Sequence, residues 1–124
     1  MNLISREELH RKLERGDELE LVMTLPWLSY RAKHIPGSLH FETVEEAVAA
    51  LDRQDEIVVY CADVHCVASI YAYQRLEREG FTHVRRYAGG VADWEDAGYP
   101  LEGGAPDGAA RGPARSNRDW HVCA

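Results

Sequence analysis

The chain has 124 residues, 45% of them apolar, which is the size and composition of one globular domain with a single core. Its formal charge of -7 comes from 21 acidic against 14 basic residues with no basic run, so the electrostatic footprint of a nucleic-acid partner is missing. No apolar stretch nears the roughly 20 residues that span a bilayer, and the opening MNLISREELHRKLE lacks the charged-then-apolar build of a signal peptide, so a cytoplasmic protein without a membrane partner is expected.

Ser5 followed by Glu7 and Glu8, with Leu9 and Leu13 at helical spacing, predicts a capped short helix that stops before Gly16. Leu19 to Met23 reads as a strand. The segment LPWLSYRAKHIPGSLHF is rich in aromatics and turn residues around Pro36-Gly37, and is expected to be a structured loop ending in a brief strand at Leu39 to Phe41. Val44, Ala47, Val48 and Leu51 make a helical stripe behind Thr43 as cap, with Glu45 and Glu46 at the positive end of the helix. Ile57 to Tyr60 is a continuous apolar run, the pattern of a strand covered on both faces in a parallel sheet. Ala68 to Glu79 then turns Ile70, Tyr73 and Leu76 to one side and stops at Gly80, as a glycine-capped helix does. Phe81 and His83 to Tyr87 supply another strand, and Val91, Trp94 and Glu95 open a last short helix before Gly98-Tyr99-Pro100. Strand, helix and strand in succession form a right-handed crossover, so the class is α/β, with a small central, mostly parallel sheet flanked by helices.

From Glu102 the composition shifts to glycine, alanine, proline and arginine, which cannot build a core. The predicted division is therefore a domain over residues 1–103 and a flexible tail over residues 104–124. Trp120, His121 and Cys123 interrupt the tail; a docking or redox role is one reading of them and a loosely held terminus the plainer one.

Three cysteines are an odd number and too few for a disulfide framework, so in a reducing compartment they are free, catalytic or redox-active. Two of them fall in YCADVHCVAS, where Cys61 follows the apolar strand and the helix near Ala68 points its first unpaired N–H groups back into the intervening loop. A thiolate at such a place is stabilised by the positive helix end and by converging N–H groups; the plainer reading is an inert thiol at a strand end.

Three segments together resemble the rhodanese-like domains. HIPGSLHF, His34 to Phe41, is similar to that family's His-Ile-Pro-Gly-Ala segment; IVVYC, Ile57 to Cys61, is similar to its catalytic strand; RRYAGGVADWEDAGYPLE, Arg85 to Glu102, is similar to its Gly-Gly-x-x-x-Trp-x-x-x-Gly-x-Pro signature. The resemblance runs from about Ser5 to Gly103. It implies a rhodanese-like sulfurtransferase in which Cys61 takes a sulfane sulfur as a persulfide and passes it to a thiol or other nucleophile. It also implies a cradle of loop N–H groups from Ala62, Asp63, Val64, His65, Cys66 and Val67. The partners would be a small sulfane-sulfur donor and a thiol or protein acceptor. Displacement at sulfur needs a nucleophile, a leaving group and donors for the persulfide charge, with neither metal nor organic cofactor.

Residues in and around the loop narrow the chemistry. Phosphatases with a Cys-x5-Arg loop hold phosphate with an arginine six positions beyond the cysteine, and here that position is Val67, so phosphate-ester hydrolysis is not expected. Active rhodaneses often carry glycine, arginine and serine where this chain has Val64, Cys66 and Val67, and MTL at Met23 to Leu25 replaces the family's usual Asp-x-Arg. Asp63 would repel an anionic donor, leaving His65 as the only loop side chain able to add positive charge, so thiosulfate activity is expected to be weak. Cys66 reads either as a resolving thiol or as a packing residue. His34 is expected to fix its own turn and Trp94 to lie in the core, with Trp27 and Tyr30 as candidates for the pocket edge. A zinc site built on Cys61, His65 and Cys66 lacks a further ligand pair outside the tail. The alternatives to sulfur transfer are a thiol redox or sensing protein using a Cys61–Cys66 or Cys61–Cys123 disulfide, and a catalytically silent rhodanese-like binding module.

Overall fold

The computed structural model describes residues 1–103; the predicted tail, with Trp120, His121 and Cys123, lies outside them. Five helices and four strands alternate in this range. Helix α1 (Arg6–Arg15) begins where Ser5 Oγ accepts from Glu8 N at 3.0 Å and ends at Gly16, whose φ of 76° admits the left-handed cap. It leads into β1 (Glu20–Met23). The segment expected to be loop contains a short helix, α2 (Trp27–Ala32), before β2 (Leu39–His40). It escaped the sequence reading because it is under two turns long, starts at Pro26 with no side-chain cap, and buries no residue fully, so it leaves no apolar stripe.

Thr43 caps α3 (Val44–Ala50), its Oγ1 accepting from Glu46 N at 3.1 Å. Strand β3 (Ile57–Tyr60), helix α4 (Ala68–Arg78), strand β4 (Val84–Tyr87) and helix α5 (Gly90–Asp96) complete the order. The four strands lie in the order β2-β1-β3-β4 and all pairings are parallel, with Val22 opposite Val59 and Val58 opposite Arg85. Beyond β4 the chain start covers the open edge: Arg86 N donates to Asn2 O at 2.8 Å and Ile4 N to Arg86 O at 3.1 Å.

The period-two alternation of the strands divides the core into two layers. Leu21, Met23, Val58, Tyr60 and Tyr87 pack with Leu9 and Trp94. Val22, Ile57, Val59 and Val84 pack with Ala47, Ala72 and Leu76 on the opposite face. Every residue of β3 is buried, as its unbroken apolar run required, and the C-terminal end of this central strand delivers the chain to Cys61. No helix among the described residues is long and apolar enough to cross a membrane.

Candidate active site

Three parts of the chain fix the backbone on which Cys61 stands. Ahead of it, the Tyr60 hydroxyl accepts from Ile35 N at 3.0 Å and shares a hydrogen bond of 2.6 Å with Ser38 Oγ. The turn His34-Ile35-Pro36-Gly37-Ser38 is thereby tied to the residue before the cysteine. Burial pushes the Tyr60 phenol above its ordinary pKa, so it remains a neutral hydroxyl in this network. Thr24, just beyond β1, donates both its N–H (3.0 Å) and its Oγ1 (3.2 Å) to Tyr60 O.

On the far side, Val91 N donates to Cys61 O at 3.0 Å and Ala92 N to Ala62 O at 2.9 Å, so the first N–H groups of α5 are satisfied by the loop itself. This close docking explains the glycine at position 90. Its φ is 68°, and a Cβ there would lie 2.7 Å from Ala62 C and closer still to Cys61 O.

The loop curls on Asp63. Its Oδ1 accepts from His65 N at 2.9 Å and its carbonyl from Cys66 N at 3.2 Å. Asp63 and Ala62 also border a cleft of about 350 Å³, whose wall is apolar through Met23, Leu25, Val91 and Ala92. Lys33 and Glu95 meet across the rim of this cleft at 2.8 Å. Trp27 and Tyr30 do not line it. Tyr30 stacks on His34 with ring centroids 4.0 Å apart and donates to Ser38 O, and Trp27 meets His40 edge-on. His34 Nδ1 lies 2.7 Å from Tyr30 O, holding its own turn, and Trp94 is buried with Nε1 donating to Pro100 O.

Cys61 is a free thiol, 1% exposed, so the Cys61–Cys66 disulfide is not formed in this structure, and the reading that involves Cys123 lies outside the described residues. Cys66 is buried in the same apolar cluster and is disulfide-bonded, so it is not the free thiol the sequence led one to expect, while Val64, His65 and Val67 face solvent. Among the described residues, Cys61 Sγ makes one hydrogen bond, a donation to Ser69 Oγ at 3.4 Å. Ser69 Oγ in turn accepts from Arg86 Nε at 2.8 Å. Among the described residues no loop N–H donates to the resting thiol, and the N–H groups of His65 and Cys66 are taken by Asp63.

Sequence reasoning missed Ser69 and Arg86. The signal for Arg86 was available: in VRRY, alternation places it on the same sheet face as Val84, so it is a cation pointing inward.

Fold and site define an α/β domain that presents a single buried thiol on the loop between a central parallel strand and the following helix. A profile described as rhodanese-like domain matches residues 5–97, and the chain belongs to that family. It is 38% identical over 107 residues to the HTH-type transcriptional regulator Rv0324 of Mycobacterium tuberculosis, covering 85% of this chain and 46% of the regulator. The chain thus spans about half the length of that curated relative. Among solved structures, the Alr3790 protein of Anabaena superposes with a TM-score of 0.73 at 29% identity, over 81% of this chain and 91% of the other. Thiosulfate sulfurtransferase from Pseudomonas aeruginosa matches with a TM-score of 0.73 at 25% identity, over 84% of this chain and 20% of its own. The human single-domain sulfurtransferase TSTD1 shares the fold with a TM-score of 0.66 at 24% identity, over 77% of this chain and 96% of the other.

Proposed function

We propose that this chain is a sulfurtransferase whose sulfur carrier is Cys61. The observation that carries the reading is the free thiol at the end of β3, on a backbone fixed from both sides and next in the chain to Ala62, which borders an apolar cleft. The Cys61 thiolate attacks the outer sulfur of a donor, a sulfur–sulfur bond of the donor breaks, and the leaving group departs with the electron pair. Cys61 is left as a persulfide anion. An acceptor thiolate then attacks the outer sulfur of that persulfide, takes it as its own persulfide, and returns Cys61 to the thiolate. The outer sulfur stands about 2 Å beyond Sγ, and in this reading loop N–H groups that do not reach the thiol serve as its donors. Those of Asp63, Val64 and Val67 have no acceptor among the described residues.

The donor is a thiol-borne sulfane sulfur rather than thiosulfate. The Asp63 carboxylate borders the cleft, and the one cation there, Lys33, is paired with Glu95. The acceptor is a small thiol or a protein thiol, in a reducing cytoplasm. Mass spectrometry after incubation with an organic persulfide should find one added sulfur on Cys61 and none in Cys61→Ser; an unmodified Cys61 would refute the reading. Kinship with a transcriptional regulator favours a second use of the same thiol, as a sensor of sulfane sulfur or oxidant. In that case the protein, first reduced to release Cys66 from the disulfide it holds in this structure, should lose two hydrogens on oxidation through a Cys61–Cys66 disulfide.

A further inference from the structure

A guanidinium out of water is costly unless a negative charge or a full set of acceptors compensates it. Arg85 and Arg86 are neighbours on β4 and meet this cost differently. Arg85 reaches the Glu8 carboxylate, with Nη1–Oε2 at 2.8 Å and Nη2–Oε1 at 3.0 Å. Arg86 is only 7% exposed, and among the described residues no carboxylate lies within ion-pair distance of it. Its one side-chain hydrogen bond goes to Ser69 Oγ, the atom that also receives the Cys61 thiol. Other charges near Cys61 are committed elsewhere. Asp63 binds His65 N, Glu95 on α5 is paired with Lys33, and His65 faces solvent.

We propose that Arg86 is a positioning residue that supplies, through Ser69, the positive charge for the Cys61 thiolate and its persulfide. This deepens the sulfur-carrier reading and rests on it. The hydroxyl is suited to the task because it has two lone pairs and one proton. In the resting thiol, Arg86 Nε–H occupies one lone pair and Cys61 S–H the other. When the thiol proton leaves to solvent, the S–H donation ends, the hydroxyl turns, and Ser69 O–H donates to the sulfur anion while Arg86 keeps its hold. One proton leaves, and a hydrogen bond to a charged acceptor replaces one from a weak donor.

The buried cation then has its counter-charge, which the resting state lacks. Here the cation sits behind the sulfur, where it stabilises the nucleophile and remains out of reach of an anionic substrate.

Alkylation of Cys61 by neutral iodoacetamide, followed peptide by peptide over about pH 5 to 10, tests this. Ser69→Ala should slow the reaction at neutral pH by about tenfold, the loss of one hydrogen bond to an anion, and displace the profile to higher pH. Arg86→Met should displace it the same way, and Arg86→Lys, which keeps the charge, should stay near the parent. The double variant should be no slower than the slower single one, because both act through one contact. The plateau at high pH should change little, which separates lost charge stabilisation from general disruption. Should Arg86→Met fail to fold, Ser69→Ala and Arg86→Lys still decide. A Ser69→Ala profile superimposed on the parent's overturns the relay even when sulfur is carried, whereas a parent that gains no sulfur overturns the carrier reading whatever the profile.

Discussion

Replacing Gly90 by alanine should damage this protein far more than the same change at Gly16, although both glycines have a positive φ. At 68° and 76° each position charges alanine the cost of the left-handed region, about 1–2 kcal/mol. Around Gly16 nothing lies within 4 Å of an added methyl group, so the cost ends there. At Gly90 the methyl would sit 2.7 Å from Ala62 C and 2.8 Å from Ala62 O, backbone atoms that cannot rotate aside. Helix α5 has to retreat, straining the hydrogen bonds from Val91 N and Ala92 N to the loop, and overpacking of this kind adds about 1–3 kcal/mol. The total of about 2–5 kcal/mol is a large part of the stability of a small domain. At about 4–8 °C per kcal/mol, thermal melts followed by circular dichroism should place Gly90→Ala about 8–40 °C below the parent and Gly16→Ala about 4–16 °C below. Because the loop backbone moves with α5, the folded fraction of Gly90→Ala should also load sulfur on Cys61 more slowly. Equal losses of Tm in the two variants would refute the argument, since only the contact with Cys61 and Ala62 distinguishes them.

Asp63→Asn keeps the oxygen that accepts from His65 N but removes the charge beside the cleft. Thiosulfate binding should therefore improve by about 1 kcal/mol, fivefold to tenfold, and added salt should shrink the gain; unchanged kinetics would remove the electrostatic explanation. In protein reduced to free Cys66 from its disulfide, Cys66→Ser should prolong the Cys61 persulfide if Cys66 resolves it, and equal lifetimes with no Cys61–Cys66 disulfide after oxidation would make Cys66 a structural residue. Burial holds the His40 imidazole below its ordinary pKa, outweighing its hydrogen bond to Leu25 O and the nearby Glu42 and Glu46. A histidine harder to protonate folded than unfolded gains a proton on unfolding, so its stabilising effect is complete above about pH 6.5 and is lost as pH falls from there toward the lowered folded value. Urea titrations should show that acid limb flattened in His40→Gln; an unaltered slope would assign the titration to other groups.

Local signals were legible where one short rule decided the structure. Ser5, Thr43, Gly16 and Gly80 marked helix ends, and the apolar run Ile57 to Tyr60 marked the central strand. Helix α2 was hidden because it is held by polar and ring contacts with the segment that follows it, Tyr30 with His34 and Ser38 and Trp27 with His40, rather than by an apolar stripe. Cys61 could be singled out because it joins a buried strand to a helix, but its hydrogen-bond partner could not. Ser69 reaches the sulfur from the first turn of α4, and Arg86 reaches Ser69 from another strand, 17 positions along the chain. Such a contact depends on strand register and helix packing, which periodicity alone does not supply.

Two of the three segments that carried the family resemblance act on the end of the third, at the consecutive residues Tyr60, Cys61 and Ala62. The His34 to Ser38 turn holds the Tyr60 hydroxyl, and the glycine-led start of α5 holds the carbonyls of Cys61 and Ala62. Each restraint but the Tyr60 hydroxyl is made to backbone, so none of them depends on the side chains of Asp63 to Val67. A loop held in this way can exchange glycine, arginine and serine for Val64, Cys66 and Val67 without losing its path. What such exchanges alter is the charge offered to the donor, which the loop no longer supplies and Arg86 supplies only from behind the sulfur. On the proposed reading, carrying sulfur and selecting thiosulfate are therefore separable properties of this site. Cys61→Ser should abolish the first with the fold intact, while Asp63→Asn should move only the second.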